Sequence, residues 1–390
     1  MRCAKFAGKL VFVVLIITCN IATAQQDVNT LYNPADTAIK NYSTYKRSLT
    51  FGGLLQTRSV LSLTDNVDVN GKNYNSTAPG VASTFLIKRA RLQVKANVND
   101  HFSANFLINF ADFNSVPTNK VLENAYMKYS LNKHLNVQAG QFRPFFGTED
   151  LYPADLIRSL DYSNQYTAFG NNGWQSFQIG VSVFGDITNV DKKQLPLRYY
   201  IGVYNGNGRN QPTDNDNTKN VYTRFEADFS KRLTVGINGG LGSNGNGDGN
   251  AWGGDFSSNF VLSKKWKLLF GGEYKQGTNF TIYNSTTGIK PSLNEFRMQG
   301  FYLFPVLRYE YEQPRVRAIE FSARYEYFDE NYILNSNVRQ TLIPNVSFVF
   351  ADNYYAMLQA GVAIDMFKHN VPLTTNYSRN IAYLQFQIRF

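Results

Sequence analysis

The chain has 390 residues and a formal net charge of +10, with 25 Tyr and 30 Phe against only 12 Pro and 2 Cys. Both cysteines, Cys3 and Cys19, fall within the first 24 residues, which excludes a disulfide framework, a thiolate metal site and a cysteine nucleophile from the remainder. After that segment no run of 18 or more apolar residues occurs, so a transmembrane helix is excluded as well.

The opening stretch sets Arg2, Lys5 and Lys9 before the apolar run Leu10–Ile17 and closes on Ala22-Thr23-Ala24, the pattern of a secretory signal peptide over residues 1–24. The run is too short for the ~20 residues of a spanning helix, and the residues before Cys19 fit a lipoprotein site poorly. Without the three leader cations the chain is still basic. In an exported protein that charge suits anionic lipid or a small anionic solute better than nucleic acid. Residues 25–47 are expected to form a short periplasmic segment, too small for a plug domain, and 48–390 an outer-membrane barrel.

From Leu49 onward the hydrophobic pattern alternates with period two, and the linkers between segments are alternately long and short. Leu49–Ser62 precedes a long polar stretch, 64–83. The next strand, in "FLIKRARLQVKAN", sets Arg89, Arg91, Gln93, Lys95 and Asn97 on one face and Ala90, Leu92, Val94 and Ala96 on the other. A helix would scatter the cations over several faces. After the tight turn at 99–101 come strands at Phe102–Phe110, Val121–Leu131 and Leu135–Gln141. The longest gap, Phe142–Asn172, follows, with Arg143, Arg158, Tyr152, Tyr162 and Tyr166; its aromatic content suits packing against a wall. Further strands are expected at Trp174–Gly185, 197–204, 221–230, 233–241, 251–262 and 266–276. Between 293 and 312 the phase slips at Pro305, which reads as one strand with a bulge. Strands at 316–328, 341–351, 354–367 and 378–390 bring the count to sixteen, wide enough to hold water. Such aromatic content with negative mean hydropathy fits an all-β, transmembrane antiparallel β-barrel, whose aromatic girdles mark both interfaces.

The lumen parity that holds Arg89, Arg91 and Lys95 also holds Arg58, Lys128, Arg198, Arg224, Lys267, Lys275, Arg297, Arg324 and Arg389, together with Glu226, Asp228, Glu273, Glu295 and Glu326. Most of these cations are expected to pair with acids. The Arg89–Lys95 run has no acid on its own strand and is the candidate anion ladder, with Arg58 and Lys128 beside it. In the last segment Leu384, Phe386, Ile388 and Phe390 point outward, and the terminal Phe390 looks like an outer-membrane assembly signal.

Three other patterns carry little. "GLGSNG" at 240–245 leaves a strand for a loop, so no helix N-terminus holds a pyrophosphate. The acidic stretch at 213–220 lacks the glycine and terminal glutamate of a calcium loop. His101 and His134 sit in short turns and His369 on the opposite side, so they share no metal or triad. No cofactor is expected.

"FLIKRARLQVKA", then "LENAYMKY", then "VQAGQFRPFFGTED" together resemble the phosphate-selective porins, the O and P type outer-membrane porins. Gly140 to Glu149 is similar to the family's Gly-Gln-Phe-basic-x-Pro-Phe-Gly-x-Glu pattern, with Pro144 one place early. The resemblance implies a trimeric anion channel with an inward-folded third loop, which would make Arg143, Glu149 and Arg158 constriction-loop residues. Expected partners are small anionic solutes such as phosphate, outer-membrane lipid and lipopolysaccharide, the barrel assembly machinery and further copies of the chain. An outer-membrane barrel enzyme needs Ser or Asp beside a His at one interface, and only His369 is placed for it. A surface adhesin is the other alternative.

Overall fold

A computed structural model describes residues 47–390 apart from 76, 115, 117–119, 189–194, 212, 215–216, 244, 246 and 312. The expected signal peptide and residues 25–46 lie outside the described residues. Sixteen strands follow in order: β1 (Ser48–Ser62), β2 (Ser83–Asn97), β3 (Phe102–Asn109), β4 (Leu122–Asn132), β5 (Leu135–Phe142), β6 (Gln178–Asp186), β7 (Leu197–Tyr204), β8 (Asn220–Ser230), β9 (Leu233–Ser243), β10 (Asp248–Val261), β11 (Trp266–Thr278), β12 (Arg297–Glu310), β13 (Ala318–Asp329), β14 (Arg339–Val349), β15 (Ala356–Phe367) and β16 (Arg379–Arg389). They form one closed barrel in which every strand neighbours its sequence neighbours and β1 closes antiparallel on β16. Closure removes the open edges that a bilayer would not tolerate.

Alternation explains the two surfaces. On β16, Leu384, Phe386 and Ile388 are exposed while Tyr383, Gln385 and Gln387 are buried, so the apolar set meets lipid and the polar set the interior. Turns at 98–101, 133–134, 231–232 and 262–265 mark one end of the barrel, and the long connections at 63–82, 143–177 and 279–296 mark the other. The β9–β10 connection is short although it lies at the long-loop end.

Two expectations need correction. The register runs unbroken through Pro305, which pairs with Phe270, and the β12–β13 pairing keeps one register from Leu303–Tyr325 to Val306–Ser322. There is no bulge. The apparent slip arises because β12 turns apolar side chains inward: Met298, Tyr302 and Val306 are buried while Leu303 is exposed. Trp174 does not begin β6; it is fully buried in the preceding loop.

Both departures have one cause. The connection 143–177, the third long one, carries two helices, α1 (Thr148–Leu151) and α2 (Asn164–Asn171), and its side chains reach the opposite wall. Phe142, Phe146, Phe169 and Trp174 pack with Tyr204, Tyr222, Ala251, Met298 and Phe328 of the wall and with Phe280 of a third helix, α3 (Phe280–Ser285). The barrel therefore has a hydrophobic core inside it, and its wall glycines make room. A Cβ on Gly240 would lie 3.0 Å from Tyr222, and one on Gly277 3.0 Å from Phe169.

Candidate functional site

The lumen is divided by its charge. Strands β1–β5 carry Arg58, Lys88, Arg89, Arg91, Lys95 and Lys128 against one carboxylate, Glu123. Across the barrel, cations and acids alternate and pair. Arg224 meets Asp255 at 2.5 Å and Glu226 at 2.9 Å, Arg198 meets Asp228 at 2.7 Å, Lys275 meets Glu273 at 2.5 Å, Arg308 meets Glu320 at 2.8 Å and Arg324 meets Glu326 at 2.6 Å. The deeply buried ones, Arg224, Lys275 and Arg324 with their acids, are tolerated only with such partners.

The loop crosses between these walls and is fixed at many points. Arg143 Nη1 donates to the Tyr162 hydroxyl at 2.7 Å and to the carbonyls of Glu149 and Tyr152 at 3.2 Å each, so it holds the loop to itself. Gly147, at φ +117°, lets the backbone approach the Glu273–Lys275 pair, where a Cβ would lie 1.9 Å from Glu273 Oε1. Next to it, buried Glu149 accepts from the Ser163 N–H at 2.8 Å and from its hydroxyl. Burial, with the nearby Glu273, pushes the Glu149 carboxyl up to about 7. Arg158 Nε donates to the Tyr354 hydroxyl at 2.6 Å and lies 3.8 Å from Glu320. Tyr354 sits at φ +60°, uncommon for a bulky residue, with its carbonyl held by Gln387.

Beneath the loop, facing β9–β13, is a cavity of ≈ 330 Å³ lined by Tyr152, Arg158, Tyr162, Thr234, Ser257, Leu269 and Phe304, among others. At the far edge of the loop, Asp161 collects three cations: Arg89 at 2.5 Å, Lys88 at 2.7 Å and Arg58 at 3.6 Å. Although burial opposes it, Arg89, Lys88 and Arg58 hold the Asp161 carboxyl well below the usual range. Arg89 also donates to Gln56 at 2.7 Å, and Arg58 to Gln385 and the Leu160 carbonyl. Arg91 pairs with Glu123 at 2.6 Å. Lys95 is exposed and, like Lys128, makes no ion pair among the described residues; Lys128 Nζ stands 5.9 Å from the Phe184 ring centroid.

A closed sixteen-strand barrel with a long loop folded against its inner wall is the geometry of a pore, and the comparisons agree. The family model of phosphate-selective porin O and P matches residues 63–235. The chain is an outer-membrane porin carrying that family's signature over this span. Among solved structures it is similar to OmpTdeltaL8, a loop L8 deletion mutant of the outer membrane protein OmpT of Vibrio cholerae, at 13% identity and TM-score 0.56, covering 88% of this chain and 99% of that one. It is also similar to the outer membrane channel DcaP of Acinetobacter baumannii, at 13% identity, TM-score 0.55, 88% and 97% coverage, and to an anion-selective porin from Comamonas acidovorans, at 11%, 0.55, 88% and 100%. These likenesses establish the fold. No curated protein matches the chain by sequence.

The arrangement of the porin's ladder differs from the sequence reading in two respects. Lys88 and Arg89 are adjacent yet both reach Asp161, so alternation fails there; Phe85 and Ile87, of Arg89's parity, are exposed instead. Arg89 and Arg91 are also not unpaired, because their acids come from the loop and from β4. Glu123 reaches the lumen through a register shift in the β3–β4 ladder opposite Leu107/Ile108, which buries it although it shares its strand parity with Met127, exposed on the outer face. Phe390 exchanges backbone hydrogen bonds with Gly53, at 2.8 and 3.2 Å, and closes the seam between the first and last strands.

Proposed function

We propose that the porin passes small anions, phosphate among them, by passive diffusion along the β1–β5 wall, without catalysis. The charge division carries this reading. Six cations face one strand carboxylate there, and even after Asp161 of the loop is counted the wall keeps an excess of positive charge. A low-dielectric wall strengthens that field and concentrates counter-ions at the passage. The paired cations Arg58, Arg89 and Arg91 set the field and shape, while Lys95 and Lys128 are the mobile contacts. Arg143, Glu149 and Arg158 act by holding the constriction loop. One OmpT structure similar to this chain is described as a trimer form, and three barrels per unit is the assembly we assign here.

Replacing Lys95 and Lys128 together by glutamine removes two charges without orphaning an acid. The reversal potential in a planar bilayer under a salt gradient is expected to move toward cation permeability, with normal amounts of folded, heat-modifiable barrel. If the variant keeps the wild-type potential, the β1–β5 wall does not set selectivity.

We also assign Phe390 to assembly. Its deletion is expected to lower outer-membrane levels several-fold, because the final strand loses both the terminal ring and its hydrogen bonds to Gly53. Undiminished levels in the membrane fraction would refute this role.

A further inference from the structure

Most aromatic side chains of the inner wall are sealed. Phe142, Phe146, Tyr204 and Tyr222 are each at most 2% exposed and belong to the core beneath the loop. Below that core, toward the short-turn end, three rings remain partly open to the interior: Phe145 of the loop's base, Phe184 of β6 and Tyr200 of β7. Phe184 and Tyr200 lie on the inward parity of their strands, shared with buried Ser182 and Tyr204, and they face each other across a paired position. The centroids stand 5.2 Å apart for Phe145–Phe184, 4.8 Å for Phe145–Tyr200 and 5.9 Å for Phe184–Tyr200, the last pair nearly parallel at 17°. They form a continuous aromatic shelf, polar only at the Tyr200 hydroxyl, which is turned to Glu226 and donates to it at 3.2 Å.

At its edge Lys128 extends over Phe184, with no carboxylate paired to it among the described residues. A pore for simple inorganic ions has no use for rings left against water, since apolar surface there gains nothing until something covers it. What would cover it must be apolar and planar on one side and negative where it meets the ammonium. A ring stacks or tilts favourably on Phe184 and Tyr200, and a carboxylate attached to that ring reaches Lys128 as a charge-assisted hydrogen bond.

We propose that Phe145, Phe184, Tyr200 and Lys128 form a subsite for ring-bearing organic anions, aromatic carboxylates being the class that fits. The proposal rests on the anion-channel reading and adds to it a preference among anions. Binding is weak and brief, as conduction requires, because the shelf is open on the lumen side.

The test is the block of chloride current by benzoate compared with acetate, which carries the same carboxylate without the ring. In the wild-type porin benzoate is expected to half-block at about three- to tenfold lower concentration than acetate, the discrimination one ring contact supplies. In the double variant Phe184→Ala/Tyr200→Ala that ratio is expected to fall toward one, and in Lys128→Gln both blocks weaken together. Equal block by the two anions in the wild-type protein overturns the subsite while leaving anion preference intact, and needs no variant to fold. A retained ratio in a folded double variant also overturns it. If neither anion blocks and the wild-type channel selects cations, the failure is that of the underlying channel reading.

Discussion

Replacing Trp174 by alanine is expected to free the inward loop without opening the barrel. Trp174 is fully buried, donates from Nε1 to the Thr278 carbonyl at 2.8 Å, stacks on Phe280 at 5.5 Å and meets the edge of Tyr222 at 6.4 Å. Truncating a ring in such a site costs about 3–5 kcal/mol. The loss falls on the C-terminal end of the loop, whereas the strand ladder keeps every hydrogen bond. Single-channel recordings should then show a larger and noisier open state, and a protease added from the long-loop side should nick within 143–177. Trp174→Phe keeps most of the packing and should lie close to wild type, losing about 1 kcal/mol with the single hydrogen bond. A quiet, protease-resistant alanine variant would mean that the loop is held elsewhere, by the Asp161 cluster.

That contrast separates what the sequence shows from what it hides. Period-two alternation is a local property, and it located every strand to within a few residues, including β7 at Leu197–Tyr204, because in a barrel each strand meets lipid on one side and water on the other. The pattern misleads where the inner environment is not water. On β12, Met298 joins the loop's core while Tyr302 and Val306 line the cavity beneath the loop, and together they look like a lipid face in the wrong phase. The candidate site was legible only on the strands' side. Arg58, Arg89, Arg91 and Lys128 could be assigned to the lumen by parity. Their partners could not, because Asp161 lies 72 positions from Arg89 in a loop and Glu123 depends on a one-residue register shift. Arg143 and Arg158 could be placed in the loop, but not their partners, since Arg143 Nη1 donates to the Tyr162 hydroxyl and Arg158 Nε to that of Tyr354.

The Asp161 cluster supplies the second large effect, and its sign distinguishes field from scaffold. Asp161→Asn leaves Arg58 and Arg89, whose side chains are each 8% exposed, and Lys88 without the acid they share. Breaking buried pairs from one side costs about 3–5 kcal/mol, because the remaining charge stays desolvated. Two results are therefore expected together: the loop edge loosens, and one negative charge disappears beside the passage, so the reversal potential moves further toward anions. Arg89→Gln works in the opposite direction. Asp161 keeps Lys88 at 2.7 Å and Arg58 at 3.6 Å, so no acid is orphaned, and selectivity should shift toward cations with less loss of loop stability. Replacing Arg91 as well is not equivalent, because its removal strands Glu123, whose side chain is 3% exposed and then has only Arg209, among the described residues, as a cation within 4.0 Å. The double variant Arg89→Gln/Asp161→Asn closes the comparison: restoring neutrality at the pair should return the reversal potential close to wild type and recover part of the stability lost in Asp161→Asn, a coupling that residues acting independently would not show. If Asp161→Asn and Arg89→Gln shift the potential in the same direction, the cluster fixes the loop's position and selectivity is set by the width it leaves.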